Sequence, residues 1–212
     1  MKLCGLTGGV GMGKSTAAGF FLQSGARIID TDDLARQLVR PGQPALAEIR
    51  IEFGAAVVSA GGELQREELA RRVFSDGPAR KKLEAILHPR IRAAWQAQVE
   101  IWRKENCPLA VVVIPLLFET QAESCFDGII CAACTPAAQS GRLLRRGWSS
   151  DQIRSRIAAQ LPVEQKIARS HYVIWTEGSL AAHALQVERI LSRLISPAPS
   201  SYGTQPPQRL KT

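Results

Sequence analysis

The sequence predicts an α/β fold: a five-stranded parallel sheet with helices on both faces. Three observations carry this. First, five short apolar runs, KLCGL at the start, RIID (27–30), LAVVVI (109–114), FDGIICAA (126–133) and HYVIW (171–175), alternate with segments of helical pattern. Strands alternating with helices build parallel sheets covered on both sides. Second, the run 109–114 is continuous and rich in β-branched residues between Pro108 and Pro115, as in a strand buried on both faces. Third, a glycine-rich turn, GLTGGVGMGKST (5–16), sits where the first strand should pass into the first helix.

The elements follow in order. Lys14 to Gln23 reads as a helix closed near Gly25. RIID leads into Asp30-Thr31-Asp32-Asp33, where Asp32 or Asp33 can cap a helix running to Val39. Were this stretch extended, Asp30 and Asp32 would share a face. Pro41-Gly42 marks a turn, and the pattern from Pro44 to about Trp102 is mainly helical, with breaks expected at Gly61-Gly62, Gly77-Pro78 and His88-Pro89. Further helices are expected over 136–146, 150–169 and 179–195. The tail PAPSSYGTQPPQRLKT (197–212) has no apolar periodicity and is expected to be disordered. The organisation predicted is one domain over 1–196, with a core of about 1–43, 104–136 and 170–196. A helical insert spans about 44–103 and a helical lid about 137–169.

Composition narrows the class. A chain of 212 residues with 45% hydrophobic content suits one sizeable globular core. No apolar run reaches the roughly 18 residues that span a bilayer. The opening MKLCGL is too short for a signal peptide, so a cytoplasmic protein without membrane partners is expected. The five cysteines are read as free thiols. Cys131-Ala-Ala-Cys134 has metal-site spacing, but there is no second such pair and it falls in a predicted strand, where residues three apart face opposite sides. The net charge of +8 attracts polyanions. Between Gly141 and Ser170, seven basic residues stand against two acidic ones. That segment is either a solvated helical face or a lid facing phosphate.

The glycine-rich turn carries the chemistry. Gly8-x-x-x-x-Gly13-Lys14-Ser15 fits the phosphate-loop pattern, with a strand before it and a helix after. Backbone amides from Gly9, Val10, Gly11, Met12 and Gly13 can converge on phosphate oxygens, and the helix N-terminus adds a positive dipole. Lys14 can reach the β- and γ-phosphates, Ser15 can ligate Mg²⁺, and Thr16 follows toward the α-phosphate. ATP and Mg²⁺ are the expected cofactors. A guanine-nucleotide switch would need an Asn-Lys-x-Asp element, and the single asparagine, Asn106, sits in ENCP. A motor-type ATPase would carry an acid closing the strand at 109–114, where Pro115 stands instead. A small-molecule kinase remains. It needs a carboxylate beside the departing phosphoryl group, and Asp32 follows the second strand, whose carboxyl end should edge the same crevice.

With these residues in place, the chain resembles the dephospho-coenzyme A kinase family from Leu3 to about Val187. The carriers are GLTGGVGMGKST (5–16), IIDTDDLAR (28–36), PGQPAL (41–46), FG (53–54), GELQREELARRVF (62–74), LEAILHPRIR (83–92), PLLFE (115–119), QSGRLLRR (139–146) and RIAAQLPVEQK (156–166). The resemblance implies ATP-dependent phosphorylation of the ribose 3′-hydroxyl of dephospho-coenzyme A, the last step of coenzyme A synthesis. It implies a sheet of the P-loop, nucleoside-monophosphate-kinase type with a helical substrate domain and a lid. On matching positions, Asp32 is the base, Lys14 steadies the transferring group, and Arg142 and Arg146 are lid arginines on the nucleotide. His88, Arg92, Leu116, Leu117 and Glu119 line the acceptor side. His88-Pro89 has a plainer reading as a helix break, and the leucines as core. Thr176 stands where the family usually has Asn, which leaves open how the adenine is held. The acceptor's pyrophosphate accounts for the basic excess without nucleic acid, and a monomer is expected. A kinase of another small hydroxylated metabolite, and a nucleotide-dependent regulatory or nucleic-acid-binding protein, are the alternatives.

Overall fold

The computed structural model describes residues 1–74 and 76–195, so the tail expected to be disordered lies outside the described residues. Five strands, β1 (Lys2–Thr7), β2 (Arg27–Asp30), β3 (Leu109–Val113), β4 (Gly128–Ala133) and β5 (Tyr172–Trp175), form one sheet. All neighbours run parallel, in the order β2-β3-β1-β4-β5. Every residue of β3 and β4 is buried, which is why these strands read as uninterrupted apolar runs.

Side chains two apart along a strand share a face, and the sheet has two cores accordingly. Cys4, Leu6, Val111, Val113 and Ile130 pack with Phe21, Ile190 and Leu194 on one face, against helices α1 (Lys14–Gln23) and α9 (Leu180–Ile195). Leu3, Ala110, Val112 and Ile129 pack on the other face with Trp95, Val99 and Trp102. The tryptophans and Val99 belong to α5 (Gly77–Lys104), which follows α2 (Thr31–Leu38), α3 (Pro44–Phe53) and α4 (Arg66–Phe74). These insert helices bury a cluster of their own around Val39, Ile49, Phe53, Val57, Leu69 and Ile86.

Three local expectations change. The break expected at His88-Pro89 does not occur: α5 runs 28 residues straight through Pro89. Proline removes one helical hydrogen bond, the one to Ala85 O, but Trp95, Val99 and Trp102 hold the following turns against the sheet. The single helix expected over 150–169 is two, α7 (Ser150–Ala158) and α8 (Val163–Ala168). Pro162 is the N-cap of α8 with φ −50° and ψ 140°, and a proline drives the residue before it out of the helical region. Asp30 and Asp32 do not share an extended face either, because α2 begins at Thr31. The remaining helix, α6 (Pro136–Arg145), follows β4. No helix of the described residues is long and apolar enough to cross a membrane.

Parallel pairing brings the carboxyl ends of all five strands to one edge. Thr7, Asp30, Val113, Ala133 and Trp175 end their strands there, and ligands of open parallel sheets bind at that edge.

Candidate active site

The loop 8–13 leaves β1 between two close neighbours. Gly8 has φ 141°, and a Cβ on it would lie 2.2 Å from Ala132 O. Gly13 has φ 84° and is the N-cap of α1, with no side chain capping the helix. Ala17 N is the first amide of α1 to find a partner, bonding Gly13 O at 3.1 Å. The amides of Lys14, Ser15 and Thr16 are therefore left at the positive end of the helix dipole, the arrangement that binds anions. Ser15 and Thr16 are exposed, while Met12 is buried and offers only backbone.

Lys14 folds over this loop, with Nζ donating to Gly8 O at 2.9 Å and to Gly9 O at 3.0 Å. Burial pulls its ammonium down to about 8; the Asp32 and Asp30 carboxylates oppose the shift, and the Lys166 ammonium adds to it. Asp30 caps α2 by accepting from Asp32 N at 2.8 Å. Burial raises the Asp30 carboxyl, and the neighbouring charges of Asp32 and Asp33 push the same way. Asp33 is engaged by Arg36. The Asp32 side chain is in no ion pair among the described residues and faces a cavity of about 390 Å³.

That cavity is the size of a small-molecule site. Asp32, His88, Arg92, Trp95, Pro115 and Leu116 are among its walls, so the structure brings His88, Arg92 and Leu116 together with Asp32 around one cavity. Two other residues expected there do not line it. Leu117 is fully buried in the β3 core. Glu119 is turned to Lys166 Nζ, 2.8 Å away, and accepts from Leu161 N at 2.8 Å.

The arginines of α6 divide. Arg142 is anchored by Nη1 to Thr176 Oγ1 at 2.8 Å and by Nη2 to Thr176 O at 2.5 Å, with a long 3.4 Å bond to Gly11 O. Thr176 Oγ1 in turn donates to Met12 O at 3.1 Å. Arg142 thus ties the loop to the segment after β5, and Arg146, the C-cap of α6, is solvent-exposed. Three residues to which sequence reasoning gave no role are also here. Gln139 Nε2 donates to Val10 O at 2.8 Å, and Gln160 Oε1 accepts from Val10 N at 2.9 Å. Lys166 has a wholly buried side chain and donates to Pro115 O at 2.7 Å. All three lie within the matching stretches 139–146 and 156–166, but a lysine's burial depends on a partner that local pattern does not reveal. Cys131 and Cys134 are buried, and burial raises both thiols, Cys131 to about 11, so they are inert at neutral pH.

A phosphate-binding helix start, a carboxylate and an acceptor-sized cavity on one sheet edge describe a small-molecule kinase. The dephospho-CoA kinase family model matches residues 2–182. The chain belongs to the dephospho-CoA kinase family. A dephospho-CoA kinase of Anaeromyxobacter dehalogenans is 40% identical, over 99% of this chain and 100% of the relative. One from Thiobacillus denitrificans is 43% identical, over 92% of this chain and 96% of the relative. Among solved structures, TT1252 from Thermus thermophilus superposes with a TM-score of 0.80 at 32% identity, covering 92% of this chain and 98% of that one. The dephospho-CoA kinase from Campylobacter jejuni superposes at 0.67 with 24% identity, covering 91% and 96%, and so shares the fold. In this member of the dephospho-CoA kinase family, the segment after β5 reaches the loop through Thr176.

Proposed function

We infer that this enzyme transfers the γ-phosphoryl group of ATP to the ribose 3′-hydroxyl of dephospho-CoA. One observation carries the reading: Asp32, in the family's phosphate-loop frame, faces the 390 Å³ cavity and also acts electrostatically on Lys14. The carboxylate thus adjoins the cavity and lies close enough to Lys14 to bear on its charge.

The residues divide the work. Amides of Gly9, Gly11, Gly13, Lys14, Ser15 and Thr16 donate to the phosphate oxygens, while those of Val10 and Met12 are taken by Gln160 Oε1 and Gly9 O; Lys14 neutralises charge on the transferring group. Asp32 accepts the proton of the 3′-hydroxyl. His88 and Arg92, with Leu116 as apolar wall, hold the acceptor. Arg142, anchored on Thr176, flanks the nucleotide where it leaves the loop, and Arg146 is free to move in from solvent. The exposed Ser15 hydroxyl, with no hydrogen bond to another described residue, suits Mg²⁺, which takes few protein ligands beside substrate phosphates. Ser15 would hold Mg²⁺ together with the substrate phosphates, and the ion would supply charge neutralisation to the transferring group. Positioning and electrostatics supply most of the rate, since phosphoryl transfer has a loose transition state.

The test is a coupled ADP-release assay over a panel of hydroxylated acceptors. ADP release dependent on dephospho-CoA, and at least tenfold slower with shikimate, gluconate or nucleosides, is expected. Equal or faster turnover of another acceptor overturns the assignment in favour of a kinase for that metabolite.

A further inference from the structure

One chain of contacts links the phosphate loop to the acceptor wall and returns to its start. Val10 N donates to Gln160 Oε1 at 2.9 Å. The next residue, Leu161, donates its N–H to Glu119 Oε1 at 2.8 Å. The same oxygen lies 2.8 Å from Lys166 Nζ. Lys166 Nζ donates to Pro115 O at 2.7 Å, and that carbonyl also accepts from Thr7 Oγ1 at 3.2 Å. Thr7 immediately precedes the loop that carries Val10, which closes the ring.

The ring joins three parts of the site. Thr7 to Val10 is the root of the phosphate loop, and Pro115 is a wall of the acceptor cavity. Gln160 to Lys166 is the turn and helix created by the break at Pro162. The Lys166 side chain has no exposed surface, and that of Glu119 keeps 22%. Away from water, hydrogen bonds among such groups are stronger and hold their geometry. The ammonium is bonded to Glu119 and Pro115 O and is not among the walls of the acceptor cavity.

We propose that Lys166, Glu119 and Gln160 are positioning residues that fix the distance between the phosphate loop and the Pro115–Leu116 wall, and with it the distance from the γ-phosphorus to the acceptor hydroxyl. The proposal rests on the phosphotransferase reading above. The ring sets the relative placement of two bound substrates and not the binding of either. A displacement on the order of 1 Å in such a site costs about a hundredfold in rate.

The experiment measures single-turnover phosphoryl transfer to dephospho-CoA, with the dissociation constant of AMP-PNP determined separately, for the native protein, Lys166→Met and Gln160→Ala. Lys166→Met keeps the buried volume and removes two links; Gln160→Ala opens the ring at a partly exposed turn without changing any charge. Both variants should lose at least tenfold in transfer rate, toward a hundredfold for Lys166→Met, with AMP-PNP affinity within about twofold of native. Should Lys166→Met fail to fold, Gln160→Ala alone decides. Transfer rates within twofold of native, even with a lowered melting temperature, would reduce the ring to a structural feature and overturn the proposal. Loss of AMP-PNP affinity in step with rate would overturn it too, by making the ring part of the nucleotide site. A native protein inactive on dephospho-CoA would instead defeat the functional reading.

Discussion

In the proposed reaction Asp32 serves the acceptor hydroxyl and Lys14 the phosphoryl group, and each makes its own prediction. Asp32→Asn keeps size and removes the proton acceptor. Its kcat should fall at least about a hundredfold while ATP affinity holds, as expected when general-base assistance is lost; steady-state kinetics beside a nucleotide titration check this, and near-native turnover would remove Asp32 from the chemistry. Lys14 is brought from 10.5 to about 8 in the free protein by burial. Bound triphosphate favours the ammonium and raises that value again. Binding must then take up protons above pH 8, and affinity must fall as pH rises through about 8. Calorimetry at pH 8.5 in two buffers of different ionisation enthalpy should give different heats for native protein and equal heats for Lys14→Met. Both residues were legible because the loop pattern and the strand-end rule place them locally. Lys166 was not: its role comes from Glu119 and Pro115, which the fold brings to it from a distant stretch of chain.

At the scale of elements, turn chemistry decided most boundaries. The helix at Lys14–Gln23 was read from its glycines, and α5 starts where Gly77-Pro78 said it would. What punctuates a helix and what passes through one look alike in sequence. Pro89 lies in a helix pinned by its tryptophans, while Pro162 lies where no comparable apolar stripe holds the helix together. The cap of α5 is a direct test. Asp76 accepts from Ala79 N at 3.0 Å, and Asp76→Ala should cost about 1 kcal/mol. That corresponds to a drop of about 2–4 °C in melting temperature for a domain of this size. An unchanged Tm would show that α5 draws nothing from its cap.

Over the whole molecule, the strand set was predicted from the five apolar runs, but their spatial order was not. The placement of β1 between β3 and β4 depends on which faces each strand buries, and that emerges only when α1, α5 and α9 pack. The shape of the cavity was likewise hidden, since its walls come from α2, α5 and the segment after β3, although the family resemblance had grouped Asp32, His88, Arg92 and Leu116. Packing also sets an acid limit. His183 is buried in α9, its Nε2 has no hydrogen-bond partner among the described residues, and its ring meets Phe20 edge-on at 5.2 Å. Burial lowers its proton affinity below the ordinary 6.5. The unfolded chain therefore binds the proton that the folded one refuses, and stability falls as pH drops below about 6.5. Urea titrations at pH 7.5 and 5.0 should show a smaller loss for His183→Leu than for the native protein; equal losses would place the acid sensitivity elsewhere.

The central claim concerns which oxygen receives the phosphate, and phosphorus NMR of the product reads it. After incubation of the native enzyme with Mg·ATP and dephospho-CoA, one new phosphomonoester resonance coupled to the ribose 3′ proton is expected, in equal amount with ADP. ATP consumed with no new monoester, or a monoester on any other oxygen, would contradict the account.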